Sequence, residues 1–498
     1  MQKWIFRILA VLAYAGSSTS MGQPTSKNAN NIESVTFSDG ISDWTLERCI
    51  QQALSQNIDI QLSMLSEEQA ALAFEQATRN FGPELGGSVG QFYQSGRSID
   101  RFSNQFVQST IGSNNFQLQG SLLLFNGLQN QNARKQAKQN WMASGADLES
   151  IRLSVTLQVA SAFVLWLQSN ELEIAAASIL NGSKLQLDRG QKIYDVGASN
   201  QGALLSLKAQ YASDLASMTN AQNNKISALQ NLKQLIRLPA SQSFEPAMEN
   251  FGWSATEFPL NAQELIDTIL ERRPDYHAAQ YRCFAAQYAC RSAKGALFPI
   301  LSLGGSLGSV YSSNAKLIDG SISGFRPIGR VQGSNEIVEG PEYTYSMQTK
   351  AFRNQLGDNF GQSLGLNMTI PIYSGLQRHT QLKNANLALN RAELNLERTK
   401  QAIENEVLSA YNNYLNADKR YVANKENVDL QQQNEQSVLQ RLNAGAASYF
   451  EYQVANTNYV NAYQNFISAK YERSFRRLVL DFYLMPPIAD YNSIKTDK

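Results

Sequence analysis

The sequence predicts a mixed α and β protein that combines short strands with very long helices. Three observations support this fold class: segments in which apolar and polar residues alternate, helical stretches of unusual length, and an internal repeat that contains both in the same order. Alternation at every second residue is typical of a strand with one apolar face, whereas apolar spacings of three and four are typical of a helix.

Each half of the chain is predicted to hold two long helices. They are the pairs 126–196 with 200–237 and 374–443 with 448–484. Apolar residues on the first helix recur at spacings of three and four, as in a coiled-coil seam. At about 1.5 Å per residue this helix would extend about 105 Å, longer than a compact domain. Helices alone leave open a soluble periplasmic coiled-coil scaffold without a pore.

Each half is also predicted to hold two strands. They lie at about 84–94, 115–125, 300–311 and 360–373. In the last of these, the even positions are large and apolar except for Gln362, and the odd positions are small or polar. Alternation over about ten residues favours a transmembrane β-barrel over a soluble sheet in an exported chain whose helices leave no other core.

Four strands cannot close a barrel, and unpaired strand edges are not tolerated in lipid. Several copies of the chain must therefore share one barrel. Two copies would give about eight strands around a filled interior, whereas three copies would give about 12 strands and room for a pore. The polar segments 95–114 and about 312–358 are then expected to be loops at the end opposite to the helices.

The order of predicted elements arises from an internal repeat. One series of matches recurs after 216 positions, as from Asp59 to Asp275, and a second recurs after 248 positions, as from Gly197 to Gly445. The difference places 32 additional residues between about 305 and 360. The predicted divisions are a signal peptide 1–22, a first repeat 23–238, a linker 239–260, a second repeat 261–487 and a tail 488–498.

The N-terminal segment is typical of a secretory signal peptide. Lys3 and Arg7 precede the apolar stretch 8–15, which is too short to span a bilayer, and small residues follow it. Export is therefore expected. The cysteines are an odd and sparse set, which predicts packing residues rather than a disulfide framework: Cys49, Cys283 and Cys290.

Composition narrows the class of protein further. The 498 residues carry 43 Lys plus Arg against 42 Asp plus Glu, and their mean hydropathy is −0.34. This balance gives no electrostatic reason to expect nucleic acid as a partner. After residue 16 we find no apolar run close to the roughly 20 residues that a membrane-spanning helix needs. An α-helical membrane protein is therefore not expected.

The chain resembles the TolC family of outer-membrane efflux ducts over essentially all of residues 44–487. The most specific motifs are Arg272-Arg273-Pro274-Asp275 at a helix start, Phe298-Pro299 before a strand and Pro371-Ile372-Tyr373-Ser374-Gly375 between strand and helix. Pro274 and Asp275 suit a first helical turn. Gly127 and Gly375 permit the sharp corner between a β-barrel and a helical barrel.

The resemblance implies a homotrimeric duct. A 12-stranded β-barrel would cross the outer membrane and continue into a periplasmic barrel of 12 α-helices, with the linker 239–260 at its equator. The implied partners are a periplasmic adaptor protein, an inner-membrane RND or ABC pump, and outer-membrane lipid. The motif at Arg273 favours efflux of drugs, metals or solutes, and type I protein secretion is the alternative within the family.

The predicted periplasmic tips are the helix breaks 194–199 and 443–448. A glycine ends one helix and a serine begins the next, which ordinary capping explains without any function. The resemblance implies that adaptor hairpins dock at the small residues of both tips: Gly197, Ser199, Gly445 and Ser448.

Glu451 follows Gly445 by six positions, where the resemblance implies an acidic residue that lines the closed aperture. Copies of this carboxylate would form a ring that favours cations. The alternative is a solvated charge on a helix. The matching position after Gly197 holds Ala203, and Val454 replaces a second family acid, and both departures argue against strong cation selectivity.

Neither an enzyme nor a metal site is expected. His277 and His379 lie at predicted helix starts without a second His, Cys or carboxylate at ligand spacing. The sequence contains no Ser-His-Asp order, phosphate-binding loop or dinucleotide-binding turn. No cofactor is therefore expected, and the exported substrate is not encoded in any of these motifs.

Overall fold

The structure is a computed structural model that describes residues 44–99, 104–239, 241–247, 262–334 and 336–484. The predicted signal peptide, the tail 488–498 and most of the linker 239–260 lie outside the described residues. In chain order the helices are α1 (Leu46–Gln56), α2 (Ile58–Arg79), α3 (Gln129–Asp195), α4 (Gln201–Leu235), α5 (Ala262–Arg272), α6 (Pro274–Gly295), α7 (Phe352–Asp358), α8 (Gln377–Asn443) and α9 (Tyr449–Leu484). The strands are β1 (Glu84–Ile99), β2 (Phe106–Phe125), β3 (Ile300–Ser312), β4 (Lys316–Arg330), β5 (Ile337–Thr349) and β6 (Gly361–Thr369).

Two helical hairpins account for most of the described chain. Helices α3 and α8 have 67 residues each, which corresponds to a length of about 100 Å. Helix α4 packs back along α3, and α9 packs back along α8. All of these bounds lie within three residues of the helices expected from the sequence.

The shorter helices pack beside the hairpins. Helix α2 lies on α3, and α6 lies between α3 and α8 with contacts to both. Asn57 marks the break between α1 and α2, because its side chain accepts hydrogen bonds from the backbone N–H groups of Asp59 and Ile60 at 2.8 and 3.4 Å. Pro274 begins α6, where its missing N–H costs no helical hydrogen bond.

The apolar core lies midway along the hairpins. Phe163 and Trp166 of α3 are fully buried in a cluster that includes Leu232 of α4 and Ala53 of α1. One window of α3 is long and apolar enough to cross a membrane, so the expectation that no such window exists was wrong. Half of this window is buried inside the chain, and packing in the core accounts for its apolar character.

The strands β1, β2, β3 and β6 form an antiparallel sheet in that order. The register places apolar side chains on one face, as in the pairs Leu118 with Leu307 and Leu303 with Leu366. Much of this face is exposed, including Leu85, Val89, Leu118, Leu364, Leu366 and Met368. Within the described ranges, the outer edges of β1 and β6 have no strand partner.

The expected loops 95–114 and 312–358 are mostly regular structure, so that prediction was wrong. Strand β1 continues to Ile99 and β2 begins at Phe106, whereas 312–358 contains β4, β5 and α7. Two register shifts in β4, between Ile322 and Gly324 and between Pro327 and Gly329, explain why alternation failed to reveal this strand. Each bulge adds one residue and shifts the apolar pattern by one position along the chain.

The last sheet strand is shorter than expected. Strand β6 covers Gly361–Thr369 rather than 360–373. Pro371 lies two residues after its end, and a proline has no backbone N–H to donate to a neighbouring strand. The mixed α and β fold class predicted from the sequence is confirmed at this level.

Candidate functional site

The two hairpin tips end their first helices in the same way. Gly197 and Gly445 have φ angles of +75° and +74°. At the first tip the N–H of Gly197 donates to the Tyr194 carbonyl at 2.8 Å and the N–H of Ala198 donates to the Ile193 carbonyl at 3.0 Å. The same pair of hydrogen bonds recurs at the second tip. This is a Schellman motif, in which glycine is favoured by the left-handed conformation.

The second helix of each tip begins differently. Ser448 and Glu451 form a capping box: the Ser448 hydroxyl accepts from the Glu451 N–H at 3.2 Å, and the Glu451 carboxylate accepts from the Ser448 N–H at 3.3 Å. At the first tip the cap is Asn200, whose side chain accepts from the Ala203 N–H at 2.8 Å. The expectation that Ser199 begins this helix was wrong, because its N-cap is Asn200, which is also the residue 248 positions before Ser448.

Glu451 also contacts the preceding helix. Its carboxylate lies 3.4 Å from the Arg441 guanidinium, which donates a further hydrogen bond to the Ala446 carbonyl at 3.3 Å. Both members of this ion pair are about half exposed, so it contributes little to folding. The arrangement accounts for Glu451 within one chain and partly neutralises the charge that a carboxylate ring would need.

The corners between sheet and helix contain left-handed residues. Gly127 and Leu128 have φ angles of +65° and +64°, and Gly375 and Leu376 have φ angles of +60° and +64°. A Cβ atom on Gly127 would lie 2.2 Å from the Gly295 carbonyl oxygen, whereas a Cβ atom on Gly375 would meet nothing within 4 Å. Both glycines therefore serve the turn, and only Gly127 also permits a close backbone contact.

Arg273 precedes α6 and joins this helix to α8 and α9. Its guanidinium donates to Asp275 at 2.8 Å and to Glu406 of α8 at 3.1 Å, and it stacks over the Tyr483 ring of α9 at 5.2 Å. Burial opposes its charge, but the two carboxylates raise the pKa of Arg273 above its ordinary value. Burial, and then the hydrogen bond to Glu406, raises the pKa of Tyr483.

Polar contacts join the two hairpins along their length, and sequence reasoning missed them. Glu171 of α3 accepts from Lys470 at 2.8 Å and from the Tyr471 hydroxyl at 2.6 Å. Nearer the tips, Gln453 of α9 donates to Gln210 of α4 at 3.0 Å. Partners separated by 243 to 300 positions leave no local pattern in the sequence.

Asp214 is a buried carboxylate in this polar region. It accepts from Gln210 at 2.9 Å, while its second oxygen has no hydrogen-bond partner. Burial raises the pKa of Asp214, and the nearby polar side chains of Ser183 and Gln210 lower it by less. The nearby charge of Asp214 adds to the effect of burial in raising the pKa of Tyr449.

Among the residues that the structure describes, no group of three or more His, Cys, Asp or Glu side chains could hold a metal ion. The His277 ring nitrogen lies 2.9 Å from the Glu271 carbonyl oxygen, which gives it a structural contact at the start of α6. The three cysteines are free, and Cys49 and Cys283 are buried.

Similar proteins were found by sequence and by structure. The profile described as "Outer membrane efflux protein" matches residues 49–236 and 265–484. Outer membrane protein TolC of Escherichia coli is 24% identical over 294 residues, which are 59% of this chain and 53% of that protein. Probable outer membrane lipoprotein SilC of Salmonella typhimurium is 24% identical over 281 residues, 56% of this chain and 59% of that protein. The chain thus aligns with a little over half the length of these relatives.

Solved structures match over most of the chain. The crystal structure of CusC has a TM-score of 0.73 and 16% identity, and the match covers 91% of this chain and 96% of that one. The outer membrane protein VceC of Vibrio cholerae has a TM-score of 0.69 and 16% identity, with 88% and 94% covered. At 16% identity these structural matches show the fold alone.

The resemblance to the TolC family is therefore confirmed, and so is a location in the outer membrane. The two matched ranges together cover most of the 498 residues. The chain belongs to the outer membrane efflux protein family.

Proposed function

We propose that the chain is one subunit of an exit duct that passively conducts small molecules from a periplasmic pump to the cell exterior. One observation carries the proposal: a sheet with an exposed apolar face and two unpaired edges continues into helical hairpins built on 67-residue helices. Open strand edges are not tolerated in lipid, so the sheet must be closed by further copies of the chain.

Three copies give a homotrimer with a barrel of about 12 strands, a size that leaves a lumen. The two repeats of the proposed subunit are 23–238 and 261–487, joined by the linker 239–260. Two observations support this division: the family profile matches once in each half, and both halves place a helix, strands and a two-helix hairpin in the same order.

A stripe on α8 supports contact between copies. Apolar residues occupy the heptad positions of this helix from 387 to 422, except for Gln401, and remain exposed in a single chain; they are Leu387, Leu394, Leu408, Leu415 and Val422. A heptad spacing is the pattern of a helix that packs along another helix. Within the described residues α8 packs with α5, α6 and α9, so the stripe is available to a second copy.

The tips are the proposed docking site for a periplasmic adaptor. Gly197 and Gly445 are exposed, and no atom lies within 4 Å of a Cβ position on either residue. An adaptor backbone can therefore approach closely at both turns, with Ser199 and Ser448 beside them. An inner-membrane RND or ABC pump would supply the energy, because the duct itself offers no chemical step.

Opening would be a realignment of the hairpins at their tips. Arg189 of α3 donates to Asn443 of α8 at 3.3 Å, which links the two tips through an exposed hydrogen bond. Such polar contacts exchange with water at small cost, unlike the apolar core midway along the hairpins. The lower hairpins can therefore move while the core holds.

Membrane extraction and bilayer recording test the proposal. The full protein should fractionate with the outer membrane, require detergent for extraction and form ion-conducting pores in a planar bilayer. A coiled-coil scaffold would be released without detergent and would conduct nothing. Recovery of the protein in the soluble periplasmic fraction would contradict the proposal.

A further inference from the structure

The β4–β5 hairpin, hereafter the ribbon, has one apolar and one polar face. The register places Ile318 opposite Met347 and Ile322 opposite Tyr343. Phe325 and Tyr345 share this face, since the bulge after Ile322 keeps Phe325 in phase. The opposite face is polar in its lower half, with Asp319, Ser321, Thr344 and Ser346.

The apolar face of the ribbon is uncovered in a single chain. Its large side chains are between 50% and 67% exposed: Ile318, Ile322, Phe325, Tyr343, Tyr345 and Met347. A two-stranded hairpin is at best marginally stable alone in water. A contiguous apolar surface of this kind indicates an interaction site.

The ribbon leaves the sheet at a well-packed base. Gln355 of α7 is fully buried, and its side chain donates to the Ser312 and Lys350 carbonyls at 3.1 and 2.8 Å. Its oxygen accepts from the Ser312 N–H at 3.0 Å. The Phe352 ring lies 5.1 Å from the Tyr311 ring, on the apolar face of the sheet. The base therefore defines where the ribbon starts.

The ribbon does not add to the sheet of its own chain. Pairing of β2 with β3 ends at Ser113 and Ser312, and the N–H of Ser313 then donates to the Gly112 carbonyl at 2.8 Å. Although β4 starts three residues later, it pairs only with β5. The part of β2 beyond Gly112 is thus left to β1 alone.

Strand lengths show where a second copy would leave space. In a closed barrel, the outer edge of β1 pairs with β6 of the next copy. Strand β1 has 16 residues and β6 has nine, so about seven residues of β1, near Tyr93–Ile99, extend beyond that pairing. The next copy's α7 and ribbon occupy the same level, because they immediately precede its β6.

The two surfaces both expose large apolar side chains. The upper β1–β2 hairpin, residues 93–99 with 106–112, exposes Tyr93, Ile99 and Phe106. Charge does not oppose the contact, because this part of β1 carries Arg97 alone, and the two strands of the ribbon carry three basic and three acidic residues. Apolar contact therefore favours pairing of the two hairpins.

From these observations we propose that the apolar face of the ribbon covers the upper β1–β2 hairpin of the next copy and ties the copies together beyond the membrane. The inference rests on the proposed multi-copy duct. The ribbon would then be an assembly clasp, separate from the strand pairing that closes the barrel.

Heat dissociation of the purified oligomer in detergent tests the clasp. Ile322→Asn combined with Tyr345→Asn should lower the temperature at which the oligomer separates into single chains on a gel. The matched control, Ser321→Asn combined with Thr344→Asn, adds the same side chains on the opposite face of the same strands and should cause no shift. Replacing 316–349 with a short Gly-Ser turn should lower the dissociation temperature at least as far, with bilayer conductance retained.

The outcomes separate this inference from the proposed function. If the unmodified protein forms neither an oligomer nor a pore, the duct itself is wrong. If it forms both, equal dissociation temperatures for the ribbon variants and the unmodified protein overturn the clasp alone. A shift that is the same for both faces, or a changed partition into lipid vesicles without any change in dissociation, would also overturn it.

Discussion

The corner between sheet and helix is packed in the first half of the chain and open in the second. Gly127 and Gly375 have almost the same φ angle, +65° and +60°. A Cβ atom on Gly127 would collide with the Gly295 carbonyl oxygen, whereas a Cβ atom on Gly375 would meet nothing within 4 Å. Helix α6 closes the first corner, and the equivalent place at the second corner is where a helix of another copy would lie in the proposed oligomer. The comparison thus separates contacts made within one chain from those reserved for assembly.

Replacement of these glycines by alanine should give the largest difference in stability between the two halves. Gly127→Ala should cost several kcal/mol, because it combines a left-handed conformation worth about 1–2 kcal/mol with a backbone collision. Gly375→Ala should cost only the conformational part in a single chain. Folded yield and thermal unfolding in detergent measure both.

The fraction of oligomer should distinguish the same two variants further. Gly375→Ala should reduce the oligomer fraction more than it reduces the stability of the monomer, if a neighbouring backbone fills the open corner. Equal losses of monomer stability for Gly127→Ala and Gly375→Ala would contradict the difference in packing.

The starts of α2 and α6 offer a second comparison. Arg273→Met should destabilise the protein by about 2 kcal/mol, because Asp275 and Glu406 lose charge-assisted hydrogen bonds. The residue 216 positions earlier is Asn57, which only caps α2. Asn57→Ala should cost about 1 kcal/mol. Denaturant midpoints of the two variants measure the difference in stability. A larger loss for Asn57→Ala than for Arg273→Met would contradict this prediction.

The parts of this fold that sequence reasoning predicted depend on local patterns. The ends of α3 and α8 follow from glycines in left-handed turns, and the alternation of 360–372 predicts a strand. The parts that it missed depend on contacts between distant residues. Gln355 orders the base of the ribbon through Ser312, 43 positions away, and the bulges of β4 break the period on which strand prediction relies.

The same distinction applies to the candidate sites. Ser199 and Asn200 are both good capping residues, and only the geometry selects Asn200. The capping box of Ser448 and Glu451 has the expected spacing of three. By contrast, the closed and open corners of Gly127 and Gly375 look alike in the sequence, since the difference arises from α6.

A third comparison concerns charge between the lower hairpins. Asp214 of α4 is buried, and the residue 248 positions later, in α9, is Ala462. Because the pKa of Asp214 is raised in the folded state, the folded protein binds the proton more tightly than the unfolded chain does. Stability should therefore be greatest below the ordinary pKa of 3.8 and fall as pH rises through the raised pKa.

Asp214→Asn removes this dependence. The variant should gain up to about 1 kcal/mol at neutral pH, since an unpaired buried carboxylate oxygen is costly. The variant should gain no stability well below pH 3.8, where the carboxyl group of Asp214 is protonated in both the folded protein and the unfolded chain. Thermal unfolding across this range compares the variant with the unmodified protein, and a gain that is the same at every pH would contradict the titration of Asp214.

The smallest expected effect concerns ion selectivity at the two tips. Glu451 lies 248 positions after Ala203, so only the second tip carries an acid at this place. Its capping box and its ion pair with Arg441 neutralise part of the charge. Glu451→Gln should therefore reduce the cation preference of single channels only slightly, with a loss of a few tenths of a kcal/mol at the start of α9. Ala203→Glu should raise that preference, because no arginine lies 10 positions before it as Arg441 does before Glu451. Reversal potentials in a salt gradient measure both, with Glu426→Gln on the exposed side of α8 as the control. If Glu451→Gln leaves selectivity unchanged while Ala203→Glu raises it, the aperture accepts an acidic ring that Glu451 itself does not form.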